Sequence, residues 1–202
     1  MESHISKFRL ASERLAHLRA HDALTLLRHS LSAPRLLYNL RSTDCAGHPS
    51  LQAFDDLLRG CLVQALNVSL DDTQWDQAAL PIKWGGLGIR RTVQLAPSAY
   101  LASAAASVQL VSAILPIRMG GISDPHRDHA LSVWTSLGGS NHPTGLAMNS
   151  QKAWDGPIVR HVFDRVFSMA QDDYTRARLL AVSAPHAGDW LVAPLYHQWV
   201  FD

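Results

Sequence analysis

Apolar residues recur at helical spacing over most of the chain, and the first two patterns lie before residue 32. The first predicts an amphipathic helix with a basic side, and the second predicts another helix in AHDALTLLRHSL with Arg28 facing solvent. The apolar stripes are Phe8, Ala11, Leu15 and Leu18 in the first helix, and Leu24, Leu27 and Leu31 in the second.

Capping residues divide the next stretch into two further helices. Ser32 before Pro34 predicts a short helix through Leu40, because Ser favours the N-cap and Pro the first turn. Ser50 is the predicted N-cap of a longer helix. The stripe of that longer helix is Leu51, Phe54, Leu58, Cys61, Leu62 and Ala65, with Asp55, Asp56 and Arg59 predicted on the solvent side. Cys61 is therefore expected in the core and not as a nucleophile.

A glycine-rich segment follows a short acidic helix. Asp71 or Asp72 is expected to cap one or two turns around Trp75, and Pro81 ends them. The string IKWGGLGIRR then predicts a tight bend or small hairpin near residues 82–91. Its glycines are Gly85, Gly86 and Gly88.

The remaining pattern is also helical. The uncharged stretch 92–117 is long enough to cross a membrane, but its many small and polar residues favour a buried helix. A glycine-rich loop is expected at Met119–Ser123, and helices at about 124–137, 150–170 and 172–183. Because no alternating β-branched run occurs, we expect an all-α, irregular bundle of about 7–9 helices. A division into 1–138 and 139–202 is expected in the loose connector near 138–149.

Composition adds a charge pattern to this picture. With 47% apolar and 17% charged residues in 202, the chain is expected to fold. Its net charge of +1 conceals an uneven distribution: residues 1–41 carry +4, 42–80 carry −5, 81–91 carry +3 and the rest −1. Fifteen Arg against three Lys favour fixed contacts with phosphate or carboxylate, although base composition of the gene would give the same bias.

Cysteine usage and the first thirty residues bear on location. Cys45 and Cys61 form no Cys-x-x-Cys, which argues against a disulfide scaffold or a zinc knuckle. Charged residues interrupt the first thirty positions, so no secretory signal is predicted. We expect an intracellular protein, nuclear or cytoplasmic, that is not secreted.

No catalytic centre is predicted from the residues themselves. The pairs Asp55/Asp56 and Asp172/Asp173 are adjacent, so each is expected on a helix face or at a cap and not around two metals. The pairs His17/His21 and His126/His129 have metal-ligand spacing but no third ligand. GGLGIRR matches neither phosphate-binding glycine motif. No metal and no cofactor is therefore expected.

Three strings, in order, resemble the segments that follow the polymerase core in reverse transcriptases of animal non-LTR retrotransposons. They are HDALTLLRHSLSAPRLLYNLRSTDC, ALPIKWGGLGIRRTVQLAPSAYLASAAAS and ARLLAVSAPHAGDWL, within residues 10–191. The resemblance implies the helical thumb and the linker behind it. In that family the thumb grips the template-primer duplex largely through its backbone. The family's catalytic Tyr/Phe-x-Asp-Asp hairpin is missing, since Phe54-Asp55-Asp56 is one residue short. The family's later Cys/His zinc region is also missing, and the resemblance stops in LVAPLYHQWVFD.

These observations give two main hypotheses. In the first, the chain is a part of an RNA-directed DNA polymerase that is inactive alone and binds nucleic-acid backbone without sequence preference. The candidate cations are Lys7, Arg14, Arg28, Arg35, Lys83, Arg90 and Arg91. In the second, it is a helical interaction or structural domain whose apolar faces meet a polymerase palm or a second copy. A metal-dependent enzyme is a third alternative, and no membrane partner is expected.

Overall fold

The computed structural model describes residues 2–114 and 124–192, and in those ranges the chain is helical without strands. The α-helices are α1 Glu2–Leu15, α2 Ala20–Leu26, α3 Ala33–Ser42, α4 Pro49–Leu66, α5 Asp72–Ala79, α6 Thr92–Ile114, α7 Pro125–Ser136, α8 Gln151–Met169, α9 Asp173–Val182 and α10 Asp189–Val192. A π-helical turn at Leu27–Leu31 extends α2, and 3₁₀ turns occupy Ile82–Trp84 and Gly145–Asn149. The predicted all-α class is confirmed. The loop expected at Met119–Ser123 and the segment from residue 193 onward lie outside the described residues.

Local capping explains several helix starts. Asp71 accepts a hydrogen bond from Gln74 N at 2.7 Å, and Gln74 Oε1 accepts from Asp71 N, forming a capping box. Asp124 caps α7 by accepting from Arg127 N, and Asp172 caps α9 by accepting from Thr175 N.

Two expectations about helix ends were wrong, the cap of α4 and the extent of α1. The N-cap of α4 is His48, whose Nδ1 accepts from Ser50 N at 3.2 Å, because Pro49 and Ser50 already lie inside the helix. Leu18 lies beyond the end of α1 and is 43% exposed. Ser32 is the N-cap of α3 but makes no side-chain cap bond. The segment 82–91 forms the tight bend without a hairpin.

Two hydrophobic clusters make up the core. The first joins α1 to α5 with the start of α6, and in it the rings of Phe8 and Phe54 lie 5.1 Å apart. The second joins the middle of α6 to α7, α8 and α9. There Trp134 Nε1 donates to the Trp154 carbonyl at 2.8 Å and the two rings meet edge to face at 5.3 Å. Trp134 and Trp154 lie on opposite sides of the expected division at residue 138, which therefore falls inside the second cluster.

Helix α6 is common to both clusters. Its first eleven residues are largely buried and include the small residues Ala96, Ala99 and Ala102, which let α3 and α8 approach closely. Its last turns are exposed, with Leu110 at 67% and Ile114 at 79%. Within the described ranges α6 is the one helix long and apolar enough to cross a membrane. The buried helix expected here is confirmed only for its N-terminal half.

A buried carboxylate anchors the start of α6. Asp55 of α4 is fully buried, contrary to its expected solvent position. It accepts hydrogen bonds from Thr92 N at 2.8 Å, Thr92 Oγ1 at 2.7 Å and Val93 N at 3.1 Å. Burial raises the pKa of Asp55, and the bonds from Thr92 and Val93 partly oppose that rise. The positive end of the α6 dipole further favours a carboxylate there.

Replacing Asp55 with alanine removes all acceptors for these buried N–H groups. We expect the free energy of unfolding to fall by about 2–4 kcal/mol, because buried donors to a charged group lose their partner. Urea unfolding followed by circular dichroism measures it. The matched control is Asp56→Ala, since Asp56 is exposed and accepts only from Gln52 on its own helix. Equal stabilities of the two variants would contradict the anchoring role.

Candidate nucleic-acid interface

The predicted cations fall into two groups that differ in exposure. Lys7 and Arg14 of α1 and Lys83 of the bend are exposed. The side chains of Arg28, Arg35, Arg90 and Arg91 are half-buried. The residues predicted as one basic surface are therefore not equally open to a ligand.

Arg28 points inward, which corrects the expected outward orientation. Its Nε donates to the Leu87 carbonyl at 3.0 Å and its Nη1 to the Leu191 carbonyl at 2.8 Å. Burial lowers the pKa of Arg28, although a guanidinium remains protonated at neutral pH. The side chain thus joins the π-helical turn after α2 to the bend after α5 and to α10.

Arg90 and Arg91 are bound to internal carboxylates. Arg90 Nη2 lies 2.5 Å from Asp155 Oδ1 of α8, and these side chains are 15% and 18% exposed. Arg91 Nη1 lies 2.6 Å from Asp76 Oδ1 of α5. Arg165 Nη2 contacts the other oxygen of Asp76, also at 2.6 Å. These pairs hold the segment after the bend against α5 and α8, so both arginines have a structural partner.

Asp155 balances two opposing effects. Burial raises the pKa of its carboxyl, while the charge and hydrogen bond of Arg90, together with the more distant Lys83, act to lower it. The ion pair with Arg90 therefore favours the charged form of a carboxyl group that burial disfavours.

The glycine bend uses its backbone donors internally. Four consecutive N–H groups donate to carbonyls at the end of α5 and in the bend, at 2.9–3.3 Å. The pairs are Gly85 to Ile82, Gly86 to Pro81, Leu87 to Ala78 and Gly88 to Leu80. Gly85 and Gly88 have φ of 77° and 75°, and a Cβ on Gly86 would lie 2.1 Å from the Leu80 carbonyl oxygen. The glycines therefore serve close packing on the end of α5, and these four N–H groups are not free to bind a phosphate.

Among the predicted cations, the exposed Lys7 and Arg14 lie on α1, and the half-buried Arg35 lies at the start of α3. Lys7 and Arg14 are seven residues apart, which places them on one side of the helix about 10 Å apart along its axis. Desolvation lowers the pKa of His4 first, and the positive charges of the N-terminus, Arg35 and Lys7 lower it further. Arg35 and Lys7 therefore both lie within electrostatic range of His4. Neither Lys7 nor Arg14 has an ion pair within the described part of the chain. We call His4, Lys7, Arg14 and Arg35 the α1 basic surface.

The cysteine and histidine side chains considered in the sequence analysis have structural surroundings in the fold. Cys61 is 4% exposed, and burial raises the pKa of its thiol to about 11, which confirms its place in the core. His129 Nδ1 lies 2.7 Å from Asp44 Oδ2, and His126 Nδ1 lies 3.9 Å away. Over residues 2–114 and 124–192, no three His, Cys, Asp or Glu side chains are arranged to hold a metal ion.

Three carboxylates that hold this region together, Asp55, Asp76 and Asp155, were not among the site residues predicted from the sequence. Asp55 lies at helical spacing within its stripe, at i+4 from Leu51 and three before Leu58, and that spacing indicates burial. Asp155 directly follows the buried Trp154. For Asp76 no local signal exists, because its partners are Arg91 and the distant Arg165.

No family model matches the chain, and no curated protein and no solved structure is significantly similar to it.

Replacing Arg90 with glutamine leaves the Asp155 carboxylate buried without its cation. We expect a loss of about 3 kcal/mol in the free energy of unfolding at neutral pH. The loss should shrink as the pH falls toward about 4, the ordinary pKa of Asp. Without Arg90 the pKa of Asp155 in the folded state rises further above its value in the unfolded state. Protonation of Asp155 therefore stabilises the folded variant at low pH, and this stabilisation is lost as the pH rises through the folded-state pKa.

Urea unfolding at several pH values measures this dependence. Arg176→Gln is the control, because Arg176 pairs with Asp173 at the exposed surface and its loss should leave the unfolding free energy unchanged. If Arg90→Gln lowers the free energy of unfolding equally at acid and neutral pH, the buried charge of Asp155 is not the cause of the loss.

Proposed function

We propose that the chain is the thumb-and-linker part of a non-LTR retrotransposon RNA-directed DNA polymerase and binds nucleic-acid backbone through the α1 basic surface. It has no polymerase activity alone, because it carries no Tyr/Phe-x-Asp-Asp to align two metals. The resemblance of three strings, in order, supports the family. The all-helical architecture agrees with a thumb. An intracellular location, nuclear or cytoplasmic, belongs to the same proposal.

The exposure of Lys7 and Arg14 on one side of α1 carries the binding proposal. Arg90 and Arg91 are only 15% and 20% exposed and are held by Asp155 and Asp76, so an extended nucleic-acid backbone does not reach them. Exposed cations without an ion pair neutralise phosphates and release counterions, and this term is independent of sequence. Half-buried Arg35 lies at the edge of the same surface, and the exposed Lys83 stays a candidate away from it.

The salt dependence of duplex binding tests this proposal. If Lys7, Arg14 and Arg35 each contact a phosphate, the logarithm of the association constant should fall with the logarithm of the salt concentration at a slope of about −2.7. The double variant Lys7→Glu with Arg14→Glu should abolish binding at low salt. Fluorescence anisotropy with a labelled primer-template duplex measures both quantities.

The charge-matched control is Arg176→Glu with Arg178→Glu on α9, where both side chains are exposed. It makes the same change in net charge away from α1 and should leave the affinity nearly unchanged. Equal losses in the two double variants, or no binding by the wild-type chain at low salt, would overturn the proposal.

A helical interaction domain is the second candidate, and the exposed end of α6 favours it. Val108, Leu110, Val111 and Ile114 are 48–79% exposed, with Val111 the lowest and Ile114 the highest. Contiguous apolar surface of this kind is typical of protein interaction sites. In this alternative a second copy of the chain covers it and nucleic acid has no role.

Leu110→Glu with Ile114→Glu tests the self-association. If these side chains form the contact, the wild-type chain should associate at micromolar concentration and the variant should be monomeric, because buried charges oppose an apolar contact. Light scattering measures the mass. Exposed Leu146→Glu with Tyr174→Glu is the control. A wild-type chain that is monomeric at every concentration would contradict this candidate.

A further inference from the structure

A pocket of about 420 Å³ lies between the π-helical turn after α2, the start of α3, the bend and the N-terminus of α8. This volume lies within the usual range for small-molecule sites. Arg28, Arg90, Lys152, Gln151 and Asp155 form its polar lining. Ala33, Pro34, Leu37 and Leu95 form its apolar lining.

Two guanidinium nitrogens of the lining residues lack a partner. Arg28 Nη2 and Arg90 Nε are buried and make no hydrogen bond within the described part of the chain. The other nitrogens hold each side chain in place, through the Leu87 and Leu191 carbonyls for Arg28 and through Asp155 for Arg90. Both guanidinium groups are therefore fixed before any ligand arrives.

The charge of the pocket favours a doubly negative ligand. Arg28, Arg90 and Lys152 outweigh the carboxylate of Asp155 by two positive charges. Ser150, the N-cap of α8, makes no side-chain bond to the first turn. Ala153 N and Trp154 N already donate to the Ser150 carbonyl, so this end of α8 contributes the positive partial charge of the helix beside Gln151 and Lys152.

We propose that this pocket binds a phosphate monoester carried on a small apolar or aromatic body. A phosphate monoester has a charge of about −1.5 to −2 at neutral pH, which matches the charge excess of the pocket, and three acceptor oxygens. A carboxylate offers one charge and fits less well. The apolar body would lie against Ala33, Pro34 and Leu37. This site is separate from the α1 basic surface and stands whether or not that surface binds nucleic acid.

Isothermal titration with phenyl phosphate tests the proposal, with inorganic phosphate and benzoate as comparisons. We expect phenyl phosphate to bind with a Kd at or below about 1 mM and more tightly than either comparison. Lys152→Glu should weaken it at least about tenfold, because it removes the charge excess. An acid in the first turn of α8 is favourable to the helix, so this variant should fold.

The control is Lys7→Glu, which makes the same charge change on α1 and should leave the phenyl phosphate Kd unchanged. No binding up to about 10 mM, an equal Kd for Lys152→Glu and wild type, or benzoate binding as tightly as phenyl phosphate would each overturn the proposal. Comparing the binding of a 5′-phosphorylated oligonucleotide with that of its unphosphorylated form shows which kind of molecule carries the phosphate. Preference for the phosphorylated form that Lys152→Glu abolishes assigns the phosphate to a nucleic-acid end, and equal binding of the two forms assigns it to a small molecule.

Discussion

The Asp55 carboxylate at the N-terminus of α6 is the contact on which the rest of the structure depends. Its bonds to Thr92 and Val93 fix the start of the longest described helix against α4. Because α6 contributes to both hydrophobic clusters, the position of that start also sets where α7 and α8 can pack. A buried carboxylate is favourable here only because backbone donors, a hydroxyl and the helix dipole all face it.

Arginine contacts extend this arrangement to the bend. Arg28, Arg90 and Arg91 reach acceptors on α10, α8 and α5, so segments far apart in sequence are held together around Gly85–Gly88. The guanidinium group suits this role because it stays charged when partly buried and has several donors in a fixed plane. The same property leaves single nitrogens unsatisfied at the pocket. Burial, and not charge, therefore decides which cations have internal partners.

Much of the fold could be predicted because its determinants are local. The stripe through Leu51, Phe54 and Leu58, and the acidic caps Asp71, Asp124 and Asp172, act within one or two turns of helix. The cap at His48 was missed because an imidazole nitrogen replaced the expected hydroxyl. Arg28 was misplaced because its acceptor at Leu191 is 163 residues away, beyond any local pattern.

The helical class, most helix limits and the segmental charge follow from spacing, caps and composition, which are local properties of the sequence. Which charges remain at the surface depends on how the helices pack. Lys7 and Arg14 stay exposed because their side of α1 faces away from the Phe8 contact. Arg90 and Arg91 become internal because packing brings Asp155 and Asp76 to them. Ion pairing between distant elements depends on three-dimensional proximity, which residue type and spacing do not contain.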